Sequence, residues 1–225
     1  MTHLGGLRSP EVGRPILAVP LGATEQHGPH LPLHTDTTIA AELCERLAAS
    51  MGGIVGIVVA PALPYGSSGE HAGFPGTLSI GRAALELVLV ELVRSADDFA
   101  GVVIVNGHGG NAAPLRAAER RLRGEGRRVL AWSPDGPPDD SHAGRTETSV
   151  LLRLRPQEVA MEKAEPGNTA PLPELFDRLV AGGVAAVSAN GVLGDPAGAD
   201  AAEGEALLTW WTDALVTAVR DWLRR

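Results

Sequence analysis

Apolar positions along the chain fall into two patterns. Short unbroken runs occur at Ile16–Leu21 (ILAVPL) and at residues 54–60, 101–105 and 128–132. Their β-branched content and lack of polar alternation predict strands buried on both faces. Between them lie longer stretches of helical period. Residues 35–50 carry Ile39, Leu43 and Leu47 on one stripe, and residues 82–98 carry Leu85, Val88, Leu89 and Leu92. Residues 114–123 place Leu115, Ala118 and Leu122 inward. Further helices are expected over 146–154, 175–181 and 207–223, the last with Leu207, Trp211, Leu215, Ala218 and Trp222 on its apolar side. Strands alternating with helices predict an α/β fold, a mostly parallel sheet with helices on both faces. In such sheets the ligand site lies beyond the carboxyl ends of the strands. The Gly/Ala/Asp-rich stretch 182–204 reads as a loop excursion between helices.

Composition narrows the chemistry. The 225 residues are expected to form one domain, residues 1–225, with enough apolar content (44%) for a core. A net charge of −8 disfavours nucleic acid or an anionic membrane as partner. No run of about 18 apolar residues suggests a spanning helix, and the N-terminal stretch lacks a signal-peptide pattern, so a cytoplasmic location is expected. A single cysteine, Cys44, excludes an intrachain disulfide and a cysteine-based zinc site. A single lysine, Lys163, does not sit in a Gly-rich loop before a helix, which removes a P-loop. The tools left are His, Asp and Glu.

Six of the seven histidines follow predicted strands: His27, His30 and His34, then His71, His108 and His142. In the first loop, Glu25 and His27 are two apart, so an extended backbone points both the same way. Asp36 opens the next helix, where the dipole favours a carboxylate. Glu, His and Asp together suit Zn, Fe(II) or Mn; a solvated polar turn is the plainer alternative. NGHGGN (residues 106–111) leaves a strand and opens a helix, with His108 at the strand end. It lacks GxGxxG spacing, so a dinucleotide cradle has little support. Glu147 shares a helix face with Leu151 and Leu154, which calls for a cation, an Arg partner or a capping role. His142, just upstream, suits a proton carrier. Glu70 and His71, in a Gly/Pro-rich loop, are candidates for substrate contact.

Taken together, PLGATEQHGPHLPLHTDT, EHAGFPGTLS, NGHGGN, HAGRTETS and, more weakly, GVLGDPAGADAAEGEALL resemble the creatininase family of metal-dependent amidohydrolases. The resemblance runs in order from Pro20 to about Leu208. It implies a three-layer α/β/α sandwich, a two-metal site and a homo-oligomer, often a hexamer. It also implies Glu25, His27, Asp36 (bridging), His108 and Glu147 as metal ligands. Creatininase itself looks like NGHYEN in the third motif, with the Glu as ligand; here that position is Gly110, which puts creatinine as substrate in doubt. NGHGGN is similar to other branches, among them a deformylase and the peptidase branch of mycofactocin maturation. The latter branch removes a C-terminal Val-Tyr dipeptide from a modified precursor peptide, and this chain is most like it. The implied reaction is amide hydrolysis by a metal-activated water. His142 would serve as proton donor, Glu147 as ligand or base, and the Gly109 and Gly110 backbone would line the oxyanion side. A cyclic-amide hydrolase or formamide deformylase is the nearest alternative, and a non-catalytic metal- or peptide-binding protein is the alternative of another class.

Overall fold

The computed structural model describes residues 2–225. Its strands are β1 (Thr2–His3), β2 (Ile16–Leu21), β3 (Ile57–Val59), β4 (Gly101–Asn106) and β5 (Val129–Trp132). Its α-helices are α1 (Thr35–Met51), α2 (Arg82–Arg94), α3 (Ala112–Gly124), α4 (Arg145–Leu154), α5 (Leu172–Gly182) and α6 (Ala201–Leu223). The strands form one parallel sheet in the order β1-β3-β2-β4-β5. The two central strands, β2 and β4, are buried at every position.

Strand alternation divides the core in two. Ile16, Ala18, Val103 and Val105 face α1, α4 and α6. Leu17, Val19, Leu21, Val102 and Ile104 face α2 and α3. Each strand therefore feeds two apolar layers, which is why its sequence lacks polar alternation. Cys44 is fully buried on α1, within the first layer.

Several elements depart from the sequence pattern. Strand β3 begins at Ile57, not at 54, because the Ile54 and Val55 N–H groups bond back to the Met51 carbonyl to close α1. Ile54 is consequently exposed. Helix α2 ends at Arg94, and its inner face is Leu85, Leu89, Val90 and Val93; Val88 points outward. Helix α6 starts six residues before the expected 207, at Ala201, because the Asp200 carboxylate accepts the N–H groups of Ala202 and Glu203. Trp211 is buried and its neighbour Trp210 is exposed. The two-residue edge strand β1 carries too few positions to show a pattern.

Helices α4 and α6 approach closely at Gly204. A Cβ there would lie 2.0 Å from the Ser149 carbonyl oxygen and 3.0 Å from the Val150 Cα. Backbone cannot swing aside as a side-chain tip can. Gly204→Ala should therefore destabilise the fold by about 1–3 kcal/mol despite the better helix propensity of alanine. Urea unfolding of the variant measures this; an unchanged or raised midpoint contradicts it.

Candidate metal centre

The parallel sheet sends four loops to one end, and the candidate residues meet there. The loop after β2 delivers Glu25, Gln26 and His27. Helix α1 carries Asp36 in its first turn. The loop after β3 brings Ser67, Ser68, Glu70 and His71, β4 ends just before His108, the segment between β5 and α4 brings His142, and the first turn of α4 brings Glu147.

Three overlapping groups each gather three potential ligand atoms within 4.8 Å: Glu25, Asp36 and His108; His27, Asp36 and Glu147; and Glu25, His27 and His142. Asp36 belongs to the first two and divides its oxygens between them. Its Oδ1 lies 3.0 Å from His27 Nε2 and its Oδ2 lies 3.3 Å from His108 Nδ1. Glu25 Oε1 is 3.1 Å from His108 Nδ1, and Glu147 Oε2 is 3.8 Å from His27 Nε2. Both oxygens of Glu25 and Oδ2 of Asp36 are buried without a directed hydrogen bond. Buried carboxylate oxygens of that kind are costly unless a cation meets them. The donor set fits a divalent metal on this observation.

Backbone carbonyls orient three of the imidazoles. His27 Nδ1 donates to the Glu25 carbonyl (3.1 Å), His108 Nε2 to the Ser67 carbonyl (3.1 Å) and His142 Nε2 to the Gln26 carbonyl (2.8 Å). A carbonyl only accepts, so in the neutral ring the opposite nitrogen is bare and faces the centre. His30 is also buried, and its Nε2 meets Thr148 Oγ1 at 2.9 Å, tying the first loop to the turn of α4 that carries Glu147. His34 stays at the surface beside Glu158.

Helix α4 is fixed at its start. Asp140 accepts the N–H groups of Arg145 and Thr146, and the Ala143 N–H donates to Glu147 Oε2 at 2.6 Å. Ala143 is the one described non-glycine residue in the left-handed region, at φ 52°. Such backbone costs about 1–3 kcal/mol and is found where the surroundings over-determine it. Here it sits between His142 and Glu147.

Gly109 is exposed and Gly110 half-buried. A Cβ at Gly110 would lie 2.0 Å from Glu70 Oε1 and 2.4 Å from His108 Nε2. The space that a side chain at 110 would need is thus taken by the Glu70 carboxylate. Glu70 is partly exposed at the rim. His71, expected as a substrate contact, is buried, with Nε2 3.4 Å from Glu25 Oε1. The stretch 182–204, read as a plain loop, supplies a wall: Leu193 exchanges N–H···O bonds with His142, and Gly191 accepts from Gln26. Its only signal in the sequence is the weakest of the matching motifs.

Charge at the centre is finely divided. Burial works against a charged His27, but Asp36, Glu147 and Glu25 outweigh it and push the pKa up to about 10. Burial likewise opposes a charge on His108, yet Glu25 and Asp36 hold it well above its ordinary value. Burial would raise Asp36, but His27 and His108 keep it far below the usual carboxylate range. Burial lifts Glu147 to about 7 and drives His142 well below the ordinary histidine value. In the metal-free chain, two protonated imidazoles thus supply the positive charge that the carboxylates demand.

The creatininase (creatinine amidohydrolase) family model matches residues 7–219, and the chain belongs to that family. Within it, the chain is 52% identical over 212 residues to the mycofactocin precursor peptide peptidase of Mycolicibacterium smegmatis, covering 92% of this chain and 85% of that protein. Among solved structures, a Zn–Zn form of a creatininase variant superposes with a TM-score of 0.78 at 27% identity, covering 97% of each chain. A manganese form of creatininase gives 0.77 at 25% identity over 98% of each. The fold is therefore the α/β creatininase fold, and the protein is a hydrolase of amide bonds in a metal-dependent family. Among the described residues, no helix is long and apolar enough to cross a membrane.

The raised histidines make a stability prediction for the metal-free chain. A folded His27 pKa near 10 against an ordinary 6.5 means that protonation stabilises the fold. That contribution is complete below about pH 6.5 and is lost as pH rises toward 10. With chelator present, urea midpoints should fall across this window, and added divalent metal should flatten the fall. A metal-free midpoint that holds or rises over the same range contradicts the assignment.

Proposed function

We propose that the chain is a metal-dependent peptidase that removes the C-terminal Val-Tyr dipeptide from the modified mycofactocin precursor peptide, with residues 1–225 acting as a single catalytic domain in a cytoplasmic homo-oligomer. The observation that carries this reading is the division of Asp36 between two ligand groups, in a chain half-identical to a peptidase of that name.

Glu25, Asp36 and His108 would hold one divalent ion; His27, Asp36 and Glu147 would hold the other, with Asp36 bridging. Zn, Fe(II) or Mn suits these ligands, and when bound such ions polarise the scissile carbonyl and acidify water. The remaining work falls to the chain. His142 keeps Nε2–H on the Gln26 carbonyl and turns bare Nδ1 inward, 3.9 Å from Glu25 Oε1. From there it takes a proton during attack and returns it to the leaving amine, which departs poorly as an anion. The Ala143 N–H aims Glu147 at its ligand position. Glu70 lies at the partly exposed rim, where the peptide enters, and the Gly109 and Gly110 backbone lines the side of the developing oxyanion. With Glu70 filling the space beside Gly110, the site differs from a pocket built around a side chain at that position.

Chelation should abolish release of Val-Tyr from the modified precursor peptide, and Zn, Fe(II) or Mn should restore it, read by mass spectrometry of the purified protein. Full turnover without metal, or turnover of creatinine or a formamide in place of the peptide, would overturn the reading. Asp36→Ala should lose both ions by elemental analysis; two ions per chain retained in that variant refute bridging.

A further inference from the structure

Gln26 lies between the ligands Glu25 and His27 in sequence, yet its side chain turns away from both and into the wall formed by residue 191. It is buried. Two backbone groups fix the orientation of its amide. The Gly28 N–H donates to Oε1 at 2.9 Å, and Nε2 donates to the Gly191 carbonyl at 3.0 Å. A backbone N–H needs an oxygen and a carbonyl needs an N–H, so the amide cannot be reversed without losing both bonds. Gly191 has φ 82°, and a Cβ on it would lie 2.0 Å from Gln26 Oε1, so only glycine allows this approach.

The second proton on Nε2 then has one acceptor available. His71 Nδ1 is 2.9 Å away. His142 Nε2, at 3.1 Å, carries its own proton for the Gln26 carbonyl and cannot accept. His71 Nδ1 must therefore be bare, and the proton of the neutral ring sits on Nε2. That atom faces Glu25 Oε1 at 3.4 Å. His27, His108 and His142 each turn a bare nitrogen inward because a carbonyl holds the other side. His71 turns an N–H inward because an amide N–H holds its other side.

We infer that Gln26 is a positioning residue that fixes the His71 tautomer with its N–H turned toward Glu25 and so excludes His71 from metal ligation. Its own carbonyl holds the neighbouring His142 in the opposite role, with a bare inward nitrogen. One residue thereby sorts two adjacent imidazoles, whose ring centroids are 4.4 Å apart, into a donor and an acceptor. The inference rests on the metal-centre reading above for the role of Glu25, but the tautomer it assigns exists whether or not the peptide is the substrate.

The test is nitrogen NMR of histidine-labelled, Zn-loaded protein, with the His71 signals assigned by their loss in His71→Asn. In the parent protein, His71 should show a protonated Nε2 and a bare Nδ1. Gln26→Glu keeps the size and the Gly28 contact side but replaces the donor with an acceptor, so His71 Nδ1 should gain a proton. Gln26→Met, which removes the donor without adding charge, should give a mixture of tautomers. Both variants should melt below the parent, since each leaves the Gly191 carbonyl without its donor, and in the folded protein kcat should fall by about 10–100-fold with KM little changed, the usual range for groups that orient ligands. A protonated His71 Nδ1 in the parent protein, or an unchanged His71 signal in both folded variants, overturns the inference. The expected tautomers in a protein that cleaves no peptide would sink the proposed function and leave the role of Gln26 standing.

Discussion

Glu25 and Asp36 are buried carboxylates with oxygen atoms that no directed protein donor reaches. Positive charge must be brought to them, and much of the molecule is organised around that demand. The sheet delivers four loops to one place. Helix α1 starts there with Asp36 in its first turn, where the exposed N–H ends favour a negative group. His27 and His108 flank the carboxylates with nitrogen atoms turned inward by carbonyls on their far sides. The same pair that would ligate metal serves as a cationic substitute when metal is away. While those histidines stay protonated, the metal-free centre is thus not a bare cluster of negative charge.

The surrounding polar network is held by backbone more than by side chains. Carbonyls of Glu25, Gln26, Ser67 and Gly191 and N–H groups of Gly28 and Ala143 account for the orientation of most groups at the centre. Such contacts move only if the loops move. The loops are themselves pinned: Asn111 bonds Ser67 N–H and the Gly22 carbonyl, linking three of the four. A strained residue, Ala143, is tolerated at the point where His142 and Glu147 must both be aimed.

Much of this was legible in the sequence for a simple reason. The buried strands β2 and β4 have no polar alternation, and the helices on either face keep their apolar stripes, so the layered α/β order could be read directly. The ligand candidates stood at strand ends, where the fold class puts a site. What could not be read depends on contacts distant in the chain. The start of β3 was hidden because Ile54 and Val55 look like strand but are spent on closing α1. The wall around Gly191 looked like loop, since its function is a carbonyl and a positive φ, neither of which has a side chain to announce it. The hold on the His71 ring was hidden because local sequence does not reveal a glutamine 45 positions away.

Cys44 takes on a new meaning in this light. It lies on α1, eight residues beyond Asp36, fully enclosed, and burial pushes its thiol well above the ordinary value. No proposed ligand is a thiol, so a thiol-selective reagent has no target at the centre itself. The rate at which such an agent reacts with the chain is then a clock for the opening of the helix that carries the bridging carboxylate. Ions held at Asp36, about two helical turns away, would slow that clock, giving a measure of occupancy from a position outside the proposed ligand set.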